Sequence, residues 1–584
     1  MRFEIESITA FDTETYGLNP YLGDLPFGFS FANSVGETYL DDRRDNKKEI
    51  YNLCEELFEN EENTVIIHNA KFDMHGLTEW CQSNFKKEIR FKAKIICTAT
   101  LARIADNQRL RVGLGVVGED YGISKDSSVE QLIHVRKLFK SKVDYFGNIS
   151  KDKDFSKVPY EFISKYAMRD ARVCYDIFFK LLEDIQGLEK YLATLNLPRS
   201  VYSVIEREAA LTKVLFQMER TGVLLDSPYA VRACEFERQR SVSAANSYQE
   251  LTGRDFVDSG KAHAAAFIDS GVDQSELART STGRYSFTSE VLSANDSELA
   301  KSIVEHRESH KKAVTFYGNF LQLRDSRGRI HTSLGQSTTR TGRLSSQNPN
   351  LQNIPAHREI GAEFFERECF IAPEDFYWVS FDYKAQEMRL LFDLSGETEV
   401  ANCILAGEDV HEVTAKLMDV TRAKSKNIGF GLIYGMGLAK MATDLGITFD
   451  EARNLKSLFF AKMPKAGDFI RAVIDKAERG YLANAYGRVY KFKKEFAYKA
   501  VNYLIQGTGS EIVKDAMIAI DKKYRDSDNV KMILQVHDEL CFYIHKDHMQ
   551  EIDSIKQIMT DAYKHNILPM DVSVKYGKNW AECK

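Results

Sequence analysis

The sequence predicts a mixed fold of α/β and α+β type divided among two or more domains, and three observations predict it. Near the amino terminus, strand-like runs end in acids and lead into helical patterns. At 532–544 two apolar runs flank the polar pair His537-Asp538, the pattern of a tight β-hairpin. A length of 584 residues with 43% hydrophobic content is enough to bury several large cores.

Composition narrows the function classes. A net charge of -6 gives no bulk attraction to a polyanion, so a nucleic-acid site must be a local basic groove. The nine cysteines form no C-x-x-C pair, which fits reduced thiols and no structural zinc. Glu4 and Glu6 stand where a signal peptide needs a basic and then apolar run, and no apolar stretch approaches membrane-spanning length. The expectation is a soluble, unexported protein of a bacterial cytoplasm or an infected host cell, with no membrane partner.

In chain order, Phe3–Phe11 reads as a strand that delivers Asp12 and Glu14, two residues apart and so on one side of an extended chain. A second strand, Val65–His68, is followed by Asn69 and then Asp73 at the opening of a helix. Tyr166 and Asp170 lie four apart on one helical face. Each acid alone reads as a solvated loop residue or a helix cap. Together they repel unless cations lie between them, so the set points to a two-metal site, in which ions roughly 3.5–4 Å apart activate water and stabilise a leaving oxygen.

These three segments resemble the motifs of the DEDD-type 3′-5′ exonucleases that proofread for DNA polymerases. The resemblance implies an RNase H-like domain in which Asp12, Glu14, Asp73 and Asp170 hold the metals and Tyr166 orients the attacking water. Beyond them, Lys125–Phe155 reads as an irregular surface insertion and Leu188–Pro198 as a connector. Helical patterns follow over Val201–Leu225, Tyr229–Leu251 and Ser297–Leu323. The last carries Lys301, His306, Arg307, His310, Lys311 and Lys312, either a solvated face or a grip on duplex phosphates.

The stripe Arg422, Lys426, Phe430, Tyr434 recurs every four residues and so occupies one helical face. Two cations one turn apart suit a polyphosphate, and the rings beyond suit a sugar and base. Gly429, Gly431 and Gly435 each cost about 1 kcal/mol relative to alanine inside a helix, so the bare backbone is expected to leave room for a nucleotide and template.

The run from Thr339 to Pro355, with Arg343, resembles the minor-groove contact segment of family A DNA polymerases. Asp382 to Arg389 resembles that family's motif A, the 422–434 helix motif B, and His537-Asp538-Glu539 motif C. The resemblance implies that Asp382, Tyr383 and Asp538 hold the catalytic metals, with Glu539 a third acid, and that Glu387 blocks a ribose 2′-hydroxyl. It further implies that Arg422, Lys426, His411, Phe430, Tyr434, Glu387 and Tyr383 receive the deoxynucleoside triphosphate, while Arg343, Asn502 and Gln506 touch DNA; the charge pattern adds Lys311 and Lys312 as expected DNA contacts. Lys384-Ala385-Gln386 departs from the usual Ser-Gln-Ile, and Tyr498 and Lys499 stand near a position where bacterial members carry arginine.

The implied architecture is an exonuclease domain over 1–196 followed by a right-hand polymerase over 197–584. Within it the thumb covers about 200–330, the fingers about 405–494, and the palm about 331–404 and 495–584. Two magnesium ions are implied at each centre, primer-template DNA and deoxynucleoside triphosphates as partners, and a monomer. The expected setting is replication of a phage or similar element, with no preceding 5′-nuclease domain and no thioredoxin-binding insertion in Gly222–Asp255. Rival readings are a single-subunit RNA polymerase, opposed by Glu387 and the nuclease motifs; a stand-alone repair exonuclease, which leaves everything after Thr339 unused; and a non-enzymatic clamp, which has no need of two carboxylate clusters.

Overall fold

The computed structural model describes residues 3–196, 199–280 and 282–583. A five-stranded sheet opens the chain: β1 (Ile8–Thr15), β2 (Pro26–Ala32), β3 (Glu37–Asp41), β4 (Thr64–Ile67) and, after helix α1 (Ala70–Phe85), β5 (Lys94–Cys97). The order is β3-β2-β1-β4-β5; β1, β4 and β5 are parallel, and β2 alone is reversed, pairing antiparallel with both β1 and β3. All seven residues of β2 are buried, as a strand covered on both faces requires.

Lys125–Phe155 is not irregular. It holds the helix Ser128–Arg136 and a hairpin, β6 (Phe139–Val143) with β7 (Ile149–Lys153), closed by Gly147 at φ 84° and by Asp144, which accepts from the amides of Phe146 and Asn148. Both strands are largely exposed, so they lack the apolar alternation by which a strand is found.

The next helix, α2 (Tyr160–Ala193), absorbs most of the expected connector; residues 197–198 lie outside the described residues. Ile177, Leu181 and Ile185 of α2 share one core with Val201, Val204 and Ile205 of α3 (Val201–Thr221), so the amino-terminal and carboxy-terminal portions are packed together.

Then come α4 (Ser227–Thr252) and α5 (Glu298–His310), packed on each other. The helix of α5 loosens into a π-helix over Lys311–Gly318 before Asn319–Leu323. Gly318 lies under Phe146 of the β6–β7 turn, where a Cβ would come within 2.5 Å of the ring.

Short strands β8 (Ser333–Gly335) and β9 (Ser345–Gln347) pair around the Arg343 loop. They lead to β10 (Phe376–Tyr383), α6 (Gln386–Ser395), α7 (Val410–Met418), α8 (Arg422–Ile433), α9 (Ala500–Tyr524), β11 (Val530–Val536), β12 (Glu539–His545) and β13 (Val572–Gly577). The four strands form an antiparallel sheet ordered β11-β12-β10-β13. Alternation along β10 sends Val379, Phe381 and Tyr383 into the core shared with α9. It sends Trp378 to the opposite core, stacked on Trp580 at 5.5 Å and shared with Phe316 and Phe320.

Candidate active sites

The first centre is assembled by β1, α1 and α2. Ligand oxygens of Asp12, Glu14 and Asp170 lie within 4.8 Å of one another. Asp73 falls outside that group but is tied to its strand, since its Oδ1 accepts from Thr13 N at 3.0 Å and Thr13 Oγ1 at 2.7 Å. Asn69, at φ 65°, makes the corner that turns β4 into α1.

Burial first, and then the mutual repulsion of the acids, pushes Asp12 well above the carboxylate range and Glu14 up to about 8. Burial also lifts Asp73 to about 7 against the Thr13 hydrogen bonds, and Asp170 to about 6 against Lys125. Such a set is costly without positive charge. The donors fit a divalent cation: they are hard carboxylate oxygens at close range, and the buried Asp170 Oδ1 has no hydrogen-bond partner. Tyr166 is buried beside them, its phenol pushed up by burial and by Asp170.

Lys125 was not foreseen. Its Nζ lies 2.6 Å from Asp170 Oδ2 and 4.7 Å from the centre of the Tyr166 ring, and its charge lowers Asp12, Glu14 and Asp170. A lone lysine in a polar run carries no sequence signal of this placement.

The second centre is built on β10 and the β11–β12 hairpin. Val536 pairs with Glu539, which leaves His537 and Asp538 as a two-residue turn, His537 at φ 59°. Asp382 pairs with Glu539, and Tyr383 N donates to Asp538 O at 3.3 Å, so the two strand ends bring Asp382 and Asp538 to one place. Burial, then Asp382, pushes Asp538 up to about 7. A paired carboxylate site of this kind suits a divalent cation.

Two expected members behave differently. The Tyr383 phenol is buried in the core and donates to Met559 O at 2.7 Å, which leaves only its main chain for any role at the site. Glu539 faces the Asp382 side of the sheet, but Trp580 Nε1 donates to its Oε1 at 3.4 Å and Arg367 lies 4.0 Å from its Oε2. That pair holds the carboxylate in the core as support for the strand.

Four predicted residues form one hydrogen-bonded chain. Arg343 Nη2 lies 2.5 Å from Glu387 Oε1, the Tyr434 hydroxyl donates to the same oxygen at 3.3 Å, and Gln506 Nε2 donates to that hydroxyl at 2.8 Å. Glu387 is buried and its Oε2 is unpaired. The neighbouring Asn502 Nδ2 is also buried without a partner.

The α8 stripe is present, with corrections. Rings of Phe430 and Tyr434 are 6.3 Å apart, His411 is 6.0 Å from Phe430, and Lys426 Nζ is 5.9 Å from the same ring. Tyr434 stands just past the helix. Arg422 is bidentate to Asp409 at 3.0 Å, and Asp409 also caps α7 by accepting from the amides of His411 and Glu412. The glycines answer to protein neighbours: a Cβ at Gly429 would meet Met388 Sδ at 2.8 Å, one at Gly431 would meet Met436 Sδ at 3.2 Å, and one at Gly435 would meet Tyr498 O at 2.5 Å. Each therefore has a packing reason among its protein neighbours.

Of the lysine pair expected to grip DNA, Lys311 is exposed, but Lys312 is buried with its Nζ 2.5 Å from Glu359. Lys301 pairs with Glu298, Arg307 with Asp258, and His306 stacks on Phe256, so much of that face is internally satisfied. In the departed motif, Lys384 pairs with Asp571 at 2.9 Å and Ala385 turns the strand into α6 at φ 47°.

Comparison with known proteins agrees with this geometry. The profile described as DNA polymerase family A matches residues 234–582, and that described as 3′-5′ exonuclease matches residues 3–186. DNA polymerase I of Chloroflexus aurantiacus is 29% identical over 98% of this chain and 61% of its own length. That of Pseudomonas aeruginosa is 27% identical over 100% and 64%, and the thermostable DNA polymerase I of Thermus aquaticus 30% over 70% and 50%. The chain thus spans less than two thirds of the length of these relatives. The POL domain of Pol1 from M. smegmatis, solved in complex with DNA primer-template and dNTP, has the same fold, with a TM-score of 0.79 at 23% identity over 98% of this chain and 95% of that one. On the profile match, which covers more than half of its residues, the chain belongs to DNA polymerase family A and carries an amino-terminal domain of the 3′-5′ exonuclease family.

Proposed function

We propose that this protein synthesises DNA on a primed template from deoxynucleoside triphosphates and removes 3′-terminal nucleotides at a separate centre. The observation that carries the reading is the chain Arg343–Glu387–Tyr434–Gln506 beside Asp538, because it joins residues from four separate segments at one carboxylate pair. Asp382 and Asp538 would hold divalent cations, magnesium being the expected ion, and Asp12, Glu14, Asp73 and Asp170 would hold another set. Bound there, such ions acidify the attacking hydroxyl or water and neutralise the leaving oxygen.

The protein's own groups do the rest. Lys426 and Arg422 meet the triphosphate, Arg422 exchanging Asp409 for phosphate, while Phe430 packs on the sugar. Glu387, pinned by Arg343 and Tyr434, presents a fixed carboxylate that crowds a ribose 2′-hydroxyl. Gln506, bonded to the Tyr434 hydroxyl, and Arg343 would touch the primer-template. In the nuclease, Tyr166 orients the water beside Asp170. The relatives named above are bacterial, and the proposed setting is replication of a phage or similar element in such a host; the short span Gly222–Asp255 argues for synthesis without a thioredoxin subunit.

The test is one 5′-labelled primer-template incubated with magnesium. Extension with the four deoxynucleotides and shortening without them is expected; shortening alone would leave only the nuclease, and tight binding without turnover would leave a clamp.

A further inference from the structure

We propose that the β6–β7 hairpin is a guide for single-stranded DNA, spanning from the thumb helices to the nuclease carboxylates. The proposal rests on the nuclease reading above. In a chain of net charge -6, residues 136–153 carry six cations, Arg136, Lys137, Lys140, Lys142, Lys151 and Lys153, against Asp144 and Asp152. Lys140 lies 3.5 Å from Asp24 and Lys153 lies 3.7 Å from Glu130, but among the described residues Arg136, Lys137, Lys142 and Lys151 make no salt bridge, and all four are exposed. Concentrated, unneutralised positive charge of this kind is the footprint of a phosphate backbone.

Both ends of the hairpin are anchored. At its tip, Phe146 is seated on Gly318 of the π-helix, and Gln322 Nε2 reaches Val143 O at 3.5 Å. At its root, Lys140 Nζ donates to the carbonyl of Tyr16, two residues past Glu14, and Lys125 just upstream holds Asp170. Five-residue strands cover about 17 Å. By the register, Lys140 and Lys142 lie on one face of the hairpin and Lys151 and Lys153 on the other with Val143 and Ile149, so both faces between the thumb and the first carboxylate centre are basic.

The occupant is single-stranded rather than duplex because apolar surface is interleaved with the charge. Val143, Tyr145 and Ile149 are 54%, 41% and 72% exposed on the same hairpin. Base faces stack on the Tyr145 ring, with Val143 and Ile149 adding apolar contact, and a duplex hides its base faces.

The test measures anisotropy of a fluorescent deoxythymidine oligonucleotide on the full chain in EDTA, where hydrolysis cannot interfere. The triple variant Lys137→Ser, Lys142→Ser, Lys151→Ser should bind roughly tenfold more weakly, and the slope of log affinity against log salt should fall by about 2, near 0.7 per lost phosphate contact. Tyr145→Ser should weaken binding roughly fivefold with the salt slope unchanged. In magnesium, digestion by the triple variant should show a raised KM at unchanged kcat. Triple-variant affinity within twofold of the parent at unchanged slope overturns the proposal, and so does a fall in kcat alone. A parent that binds the oligonucleotide but never digests it refutes the nuclease reading, while the EDTA arm still decides the hairpin.

Discussion

The two carboxylate centres are built on opposite plans. The amino-terminal centre gathers four acids from a strand and two helices and sets one lysine against them. The second centre keeps two acids at neighbouring strand ends, with the charge of Arg343 close enough to lower Asp538. The first is therefore dominated by repulsion within the protein. In the second, repulsion acts chiefly between Asp382 and Asp538.

If the centres are independent, single substitutions should separate them, and this gives the largest expected effect. Asp382→Ala should lower primer extension by more than about 1,000-fold and leave 3′ digestion within twofold, with Asp170→Ala doing the reverse. Loss of both activities in either variant would merge what the structure keeps apart. Next in size, Glu387→Ala removes the carboxylate shared by Arg343 and Tyr434. Ribonucleotide incorporation relative to deoxynucleotide should rise on the order of 100-fold, a difference of roughly 2–3 kcal/mol, in steady-state single-nucleotide insertion.

What was legible in the sequence follows the same division. Asp12 with Glu14, Tyr166 with Asp170, and the α8 stripe are local patterns, whose spacing fixes a shared face once strand or helix is known. Lys125 reaches its carboxylates only through tertiary folding, from a segment whose exposed lysines hid its strands. Spacing also could not tell where a side chain ends. Tyr383 and Glu539 sit in the right strands, yet their polar atoms are claimed by Met559 and Trp580, and Lys312 is claimed by Glu359. The glycines of α8 were legible as a cost, but the neighbours that explain them, Met388 and Tyr498, lie on other elements.

Lys125 offers a way to sharpen the contrast through pH. Its charge lowers Asp12, Glu14 and Asp170, so Lys125→Met should let those carboxyls hold protons to higher pH. Because cation binding requires the deprotonated acids, the half-maximal pH of digestion should move up by about one unit, with the extension profile unmoved. The same acids make a stability prediction of the opposite sense. Their native values, about 8 for Glu14, 7 for Asp73 and 6 for Asp170, exceed the ordinary carboxylate range, so the folded state holds more protons than the unfolded one between pH 4 and 8. In EDTA the nuclease domain should therefore lose stability as pH rises through that window, and magnesium should restore it at pH 8. Calorimetry across pH 5–8 checks both.

The smallest effect concerns how each centre turns its corner. Both place a residue of positive φ just before the helix that follows a site strand: Asn69 at 65° ahead of α1 and Ala385 at 47° ahead of α6. Asparagine enters this region at little cost, whereas alanine pays roughly 1 kcal/mol because its Cβ crowds the following carbonyl. Ala385→Gly should raise the midpoint of thermal unfolding by about 2 °C and Asn69→Ala should lower it by a similar amount. If Ala385→Gly also changes the ratio of ribonucleotide to deoxynucleotide insertion, the strained corner sets the position of Glu387 two residues on. An unchanged ratio assigns that position to Arg343 and Tyr434 alone.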